Sequence, residues 1–359
     1  MKICFVSTKA EKLFWPEAKT SFGGSEMQQF LLAEELSRSY ETAFILASIK
    51  KIDHQTIKVV SAFSLNKSWL AKIKAVINLY GALKRVAPDV VIQRAHGPET
   101  LICALYARLN GKKFIYSIAS QADVDGTWTK GALGKLFKLG IEGADLLVSQ
   151  NKAMTSQAKQ QGLPKYGLIR EIPKGLIIKP LSTKKELILW IGRCIKMKRP
   201  AAFLKLAKDN PDLKFAMVCP PGADPAFNKK ISDQASVIKN LKFQTYLPPH
   251  QIADLHAQAR VFVLTSLWEG DLPMVVLESL AQKNPVLTLS YDPDDIITKH
   301  KIGLSANNSL AKLNKQLKTI LDNHQDFSHH AFDFVRSRYD INKVGKEWRR
   351  AIKDLYDQG

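Results

Sequence analysis

The sequence predicts an α/β protein of two doubly wound, Rossmann-like domains facing across a cleft. Three observations lead there. Short apolar runs alternate with helical patterns along the chain, as in sheets covered by helices on both faces. Runs such as KICFVS, DVVIQR, LILWIG and VFVLTS are largely apolar without strict alternation, the pattern of parallel strands buried on both sides. The alternation breaks at residues 171–183 (EIPKGLIIKPLST), where Pro and Lys replace helical periodicity and a linker is expected. Length agrees, since 359 residues suffice for two ordinary domains.

KICFVS has too short an apolar core for an export signal and reads as a first strand. Gly23-Gly24-Ser25 opens a helix to about Arg38. TAFILAS is a strand, 68–85 a helix, DVVIQR a strand, 99–110 a helix and KFIYSIA a strand. A helical stretch near 131–143 precedes the strand DLLVSQ. Beyond the linker come the strand LILWIG, a helix over 200–208, the strand KFAMVC, a helix over 251–258 and the strand VFVLTS. A helix opening near Pro273, the strand VLTLS and a last helix over about 342–356 complete the order. The expected division is 1–172, 173–338 and a terminal helix within 339–359. In two such domains a ligand lies where the C-terminal strand ends face each other.

Hydrophobic residues make up 45%, and no apolar run approaches the roughly 18 residues of a membrane span. A cytoplasmic protein is expected, with Cys4, Cys103, Cys194 and Cys219 as reduced core thiols. The formal charge of +20 calls for an anionic partner. Residues 58–138 hold thirteen Lys/Arg against four acids. Within them Trp69, Ile73, Val76, Ile77, Tyr80 and Leu83 recur at near-helical spacing among Lys67, Lys72, Lys74, Lys84 and Arg85. Trp128 and Phe137 mix with Lys130, Lys135 and Lys138. One reading is a core-facing stripe with a solvated basic face. The other is peripheral docking of the stretch 67–138 on the inner face of an anionic membrane, where each Lys/Arg contributes about 1 kcal/mol. Nucleic acid is not expected, because no recognition module accompanies the charge. His324, His329 and His330 read as loop and helix-start residues, and no metal is expected.

The segment 262–287 (FVLTSLWEGDLPMVVLESLAQKNPVL) concentrates the chemistry. A strand leads through Glu269 and Gly270 to a helix start at Pro273, where unpaired N–H groups and the helix dipole suit a phosphate. Glu278 lies in the otherwise apolar VVLESLA, so its carboxylate needs hydrogen-bonding partners, which a ribose diol would supply. Gly192-Arg193 ends LILWIG, and Arg193 and Lys198 can clamp a diphosphate from two sides or form a solvated basic loop. Gly23-Gly24 allows close backbone approach, although no GxGxxG dinucleotide fingerprint is present. Tyr246-Leu247-Pro248 and Pro220-Pro221-Gly222 follow strands, where they form a wall for a base or simple turns. Arg94 and His96 stand at the end of DVVIQR, on the substrate side of the cleft.

Together, the GGSE loop, GRxxxxK (Gly192, Arg193, Lys198) and EGDLPMVVLES resemble the retaining GT-B glycosyltransferases of group 1, or family 4, type, over nearly the whole chain. The resemblance implies a transferase that moves a sugar from a nucleoside-diphosphate sugar to a glycan or lipid-linked acceptor, with no metal or other cofactor. Arg193 and Lys198 would hold the diphosphate and Glu278 the ribose. Glu269 would contact the transferred sugar, and backbone N–H groups near Leu272, Pro273, Met274 and Val275 the phosphates. Gly23 and Gly24 would face the donor from the other domain, to which the terminal helix returns.

Two departures from the family pattern stand out. Eight residues, not seven, separate Glu269 from Glu278, with Asp271 or Leu272 the extra one. Asp271 is expected to turn from the diphosphate toward the sugar. Many members carry a histidine after the strand equivalent to FIYSIA, where this chain has Ala119-Ser120-Gln121-Ala122-Asp123. That role is vacant or falls to Ser120, Gln121 or Asp123. The alternatives are a GT-B nucleotide-sugar epimerase or hydrolase, a non-catalytic sugar-nucleotide-binding protein and, less favoured, a nucleic-acid-binding protein.

Overall fold

The structure, a computed structural model, describes residues 1–18, 22–47, 52–63, 69–269 and 271–357. Lys67 and Ser68 of the basic stretch and Gly270 of the loop before Pro273 lie outside the described residues. The chain divides into two compact units, residues 1–175 with 341–359, and residues 176–340.

The first unit begins with β1 (Lys2–Ser7), α1 (Glu11–Phe14), α2 (Gly24–Ser37), β2 (Glu41–Ala47) and β3 (Ile57–Phe63). It continues with α3 (Trp69–Val86), β4 (Val90–Arg94), α4 (Glu99–Leu109), β5 (Lys113–Ser117) and α5 (Gly131–Glu142). β6 (Leu146–Ser149), α6 (Lys152–Gln160) and β7 (Leu168–Glu171) follow. In the second unit come β8 (Leu187–Ile191), α7 (Pro200–Lys208), β9 (Lys214–Val218), α8 (Pro225–Ser236) and β10 (Leu241–Gln244). Next are α9 (Pro249–Gln258), β11 (Ala259–Leu264), α10 (Met274–Ala281), β12 (Val286–Thr288) and α11 (Ile296–Lys299). β13 (Gly303–Ser305), α12 (Leu310–Asp322) and α13 (His324–Arg338) close it, and α14 (Ile341–Asp357) belongs to the first unit.

Both sheets are parallel. The first runs β3-β2-β1-β4-β5-β6-β7 and the second β10-β9-β8-β11-β12-β13. Each reverses its strand order once, between β1 and β4 and between β8 and β11. At such a switch point the connections leave to opposite faces and open a crevice beyond the strand ends. The four edge strands, β3, β7, β10 and β13, are the ones the apolar runs did not reveal. Residue 171, expected to begin the linker, instead ends β7.

Each sheet is covered on both faces. In the first unit, Leu79, Leu83, Ile102 and Phe137 of α3, α4 and α5 form one core with Cys4, Val91 and Phe114. Leu32 and Leu36 of α2, with Val344, Trp348 and Ile352 of α14, cover the opposite face over Phe5, Phe44 and Ile92. In the second unit, Phe203 of α7, Ile231 of α8 and Leu313 of α12 cover one face. Leu255 of α9, Val276 and Leu280 of α10 and Val335 of α13 cover the other. Fully burying a side chain of the Val, Leu, Ile or Phe kind contributes about 1.5–3 kcal/mol, so these faces dominate the stability of each unit.

α14 buries Ile341, Val344, Gly345, Trp348, Ala351, Ile352 and Leu355, one stripe at helical spacing. Gly345 sets its distance from α2, because a Cβ there would lie 2.4 Å from Cγ of Glu35. Arg349 Nη2 then reaches the Glu35 carboxylate at 3.0 Å. Gln28 of α2 donates to the Gly175 carbonyl at 2.9 Å and accepts from its N–H at 2.9 Å, fixing the chain where it leaves this unit. All four cysteines are free and buried. Burial pushes the Cys4 and Cys103 thiols well up, so they are core residues, not nucleophiles. Among the described residues no helix is long and apolar enough to cross a membrane.

Candidate functional site

In the second unit the loops leaving β8 and β11 meet beyond the switch point. Past β8, Arg193 is exposed, and its side chain makes no ion pair among the described residues. A turn over Lys196–Lys198 follows, and Arg199 adopts a left-handed backbone (φ 51°) that redirects the chain into Pro200, the first residue of α7. A non-glycine residue held in this region stores strain, a feature that collects at functional sites.

This loop is fastened from below. The Trp190 indole donates to Thr265 Oγ1 at 2.9 Å, and the Thr265 hydroxyl donates to the Lys198 carbonyl at 2.6 Å. The Leu267 N–H donates to the Met197 carbonyl at 2.9 Å. Thr265 is fully buried, so the bond it receives from Trp190 is shielded from water and strengthens the one it passes on to Lys198. With both loops fixed, the Lys198 ammonium contacts the Glu269 carboxylate; their side chains are 18% and 13% exposed.

Tyr291 completes the arrangement. Its hydroxyl donates to the Glu269 carbonyl at 2.5 Å. Burial, then the charges of Asp271 and Glu269, push that hydroxyl far above its ordinary range, so it remains a donor. No sequence signal marked Tyr291, which lies 22 residues beyond Glu269 and approaches it only through the fold. Asp271 is buried, on the side from which it influences Tyr291.

α10 starts at Met274 behind Pro273, which has no side chain able to cap the helix. Leu272 is buried in the core of this face, and Met274, Val275, Leu247 and Ile191 pack against the same core. That shared support gathers the end of β8, the loop carrying Tyr246 and Leu247, and the first turn of α10. Tyr246 is exposed. Glu278, one turn further along α10, is partly exposed, with Oε2 3.5 Å from His256 Nε2.

The first unit places its candidates differently. Gly23 caps α2 in an extended conformation, and its N–H donates to Glu26 Oε2 at 2.8 Å, so Glu26 closes the helix start behind Gly24. Arg94, at the end of β4, is buried and donates through Nη1 to Ser117 Oγ at 2.7 Å. His96 is exposed and stacks on Trp128, with centroids 4.0 Å apart and planes 7° from parallel. Gln121 donates to Gln157 at 2.6 Å.

Asp123 is 1% exposed. It accepts from the Tyr116 hydroxyl at 2.9 Å, the Ala119 N–H at 2.7 Å and the Ser120 hydroxyl at 3.2 Å. Burial pushes its carboxyl above the ordinary value despite these donors. Asp123 therefore staples its own loop, and Ser120 is part of that staple. No group of three or more metal-ligating side chains occurs among the described residues.

Residues 176–333 match the family described as glycosyl transferases group 1. No curated protein matches the chain. Among solved structures it is similar to sucrose-phosphate synthase from Thermosynechococcus elongatus, with TM-score 0.77, 14% identity and 100% of both chains covered. Anabaena HepE in complex with UDP and glucose gives TM-score 0.76 and 14% identity, over 99% of this chain and 100% of that one. The lipopolysaccharide outer core galactosyltransferase WaaB gives 0.66 and 19%, over 99% of each. The whole chain thus has the GT-B fold.

Proposed function

We infer, from the premise that the chain is a glycosyltransferase of GT-B fold with its group 1 domain at residues 176–333, that it moves a sugar from a nucleoside-diphosphate sugar to a glycan or lipid-linked acceptor. Anomeric configuration is retained and no metal takes part. The contact of Lys198 with Glu269 at the switch point, beside the exposed Arg193, carries the reading.

Glycosyl transfer passes through an oxocarbenium-like transition state as the bond from the anomeric carbon to the diphosphate breaks. Negative charge grows on the diphosphate. The Arg193 guanidinium suits two of its oxygens at once. Lys198 has three N–H donors, so it can hold Glu269 with one and offer the others to phosphate. The first turn of α10 adds its dipole. These fixed positive groups supply the stabilisation that a divalent ion would otherwise give, which supports a metal-independent reaction. Glu269 accepts from hydroxyls of the sugar and Glu278 from the ribose. The acceptor oxygen bonds to the anomeric carbon on the departing face, and its proton passes to the leaving phosphate oxygen. HepE was solved with UDP and glucose, which makes a uridine donor the first to try.

The test incubates the protein with UDP-, GDP- and ADP-sugars and candidate glycan acceptors. Nucleotide release should accompany a transfer product of unchanged anomeric configuration, and EDTA should not slow it. Free sugar or an epimerised donor without transfer would replace this reading with hydrolysis or epimerisation. Binding without turnover would leave only a sensor.

The acceptor is proposed to be met at an anionic membrane surface. Leu133 on α5 is 67% exposed, and Leu136 and Leu139 are exposed beside it. Lys135 and Lys138 are exposed on the same helix. On α3 the stripe is divided, with Leu83 in the core, Tyr80 partly buried against it, and Val76 and Ile77 exposed. Exposed leucines among lysines suit insertion at the headgroup level. The protein should co-sediment with vesicles containing phosphatidylglycerol, and Leu133→Glu should weaken that binding without unfolding the protein. Wild-type protein left in the supernatant at low salt would sink the idea.

A further inference from the structure

We propose that His256 is a positioning residue for donor recognition, setting the Glu278 carboxylate to read the vicinal diol of a ribose. This rests on the donor reading above and extends it to a residue outside the motifs that led there. His256 lies in the last turn of α9, is 2% exposed and stacks on Phe262 of the central strand β11, with centroids 5.9 Å apart. Its carbonyl accepts from Asn284 Nδ2 at 2.7 Å, and Lys185 Nζ donates to Asn284 Oδ1 at 2.7 Å. Ring and backbone are therefore both held.

Neither ring nitrogen makes a hydrogen bond among the described residues. Leaving a buried polar ring unpaired is costly, so such a group calls for a function. Nε2 faces Glu278 Oε2 at 3.5 Å, just outside a formed bond. Glu278 is the partly exposed member of this pair, at 34%, on the α10 face it shares with Met274 and Val275. A carboxylate turns in a broad torsional well when nothing fixes it. An imidazole N–H donating to Oε2 fixes its plane, and the outer lone pairs then accept from two neighbouring hydroxyls. A small rotation of Glu278 on donor binding closes the 3.5 Å gap.

Calorimetry on the full chain tests this with UDP, GDP and ADP, followed by the tightest of them against its 2′-deoxy counterpart. Wild type should favour the ribonucleotide by about 10- to 100-fold, the range for a hydrogen bond to a charged group. Glu278→Gln and His256→Leu should each erase most of that preference. His256→Gln, whose amide N–H can replace Nε2–H, should keep most of it, whereas His256→Asn, with a shorter reach, should not. The preference is a ratio of affinities, so partial destabilisation of a variant does not move it. If Glu278→Gln loses the preference while His256→Leu or His256→Asn retains it, His256 has no such role and the donor reading stands. If Glu278→Gln retains it, or wild type binds none of the three nucleotides, the donor reading falls and this proposal with it.

Discussion

Beyond the end of β11 a carboxylate, Glu269, rests on the ammonium of Lys198 from the neighbouring loop. Beyond the end of β5 another carboxylate, Asp123, rests on a phenol, a backbone N–H and a hydroxyl from its own loop and strand. Both follow parallel strands in doubly wound sheets. Their surroundings separate them. Glu269 keeps partial contact with water and a cation from a different segment, so its partner can be shared with a ligand. Asp123 is sealed from water, and its oxygens already accept from donors of its own loop and strand. Of these two strand-end acids, the one whose partner comes from outside its own loop is the one left able to share that partner with a ligand.

The largest expected effect breaks the comparison at its charged end. Lys198→Ala should cut transfer by about 10²–10³, the loss seen when one preorganised donor is removed. Its thermal unfolding should stay close to that of wild type. Undiminished turnover in this variant would remove the basis for distinguishing the two sites.

Asp123→Ala should show the opposite profile. It strands the Tyr116 hydroxyl and the Ala119 N–H in the interior, at about 1–3 kcal/mol for a buried unsatisfied group. Turnover per folded molecule should hardly change, and denaturant titration beside the transfer assay separates the two quantities. The acid carries a pH signature as well. Because the folded Asp123 carboxyl titrates above its ordinary value, its stabilising contribution is greatest in acid and is lost as pH rises through the folded value. Asp123→Asn should lack that decline in stability from acid toward neutral pH. An identical pH profile in the two proteins would contradict the burial of this carboxyl.

Tyr291→Phe gives the smallest effect. It deletes one hydrogen bond to the Glu269 carbonyl and should lower stability by about 0.5–1.5 kcal/mol. The rate should fall by less than in Lys198→Ala, since the backbone anchor is loosened and the charge remains. A loss as great as that of Lys198→Ala would make Tyr291 part of the charge-stabilising cluster itself.

The central strands were legible because burial on both faces demands a largely apolar run, as in LILWIG and DVVIQR. The edge strands were not. β7 reads LIRE and β10 reads LKFQ, with Arg170 and Lys242 where a central strand would carry Val or Ile. An edge is half solvated, so its sequence looks like a loop. The site divides along a similar line. Arg193, Lys198, Glu269 and Glu278 stand in short local patterns. Tyr291, Thr265 and His256 act through partners far away in sequence, and their residue types are ordinary for a strand end or a buried helix. The Asp123 staple was hidden for the same reason, since only the fold shows that its hydrogen bonds are filled.

The route of the chain between the units has one more consequence. Gly175 and Ile341 touch within the first unit, and Leu176 bridges to Asp340 within the second. The second unit is thus one uninterrupted stretch, whereas the first is written in two pieces with the whole of the second between them. A ribosome therefore delivers every residue of 176–340 before α14 exists. Through that interval the sheet face carrying Phe5, Phe44 and Ile92 lacks Val344, Trp348 and Ile352. The unit that is begun first is finished last, and it waits, with an apolar face covered only in part by α2, for a helix made after its neighbour is complete.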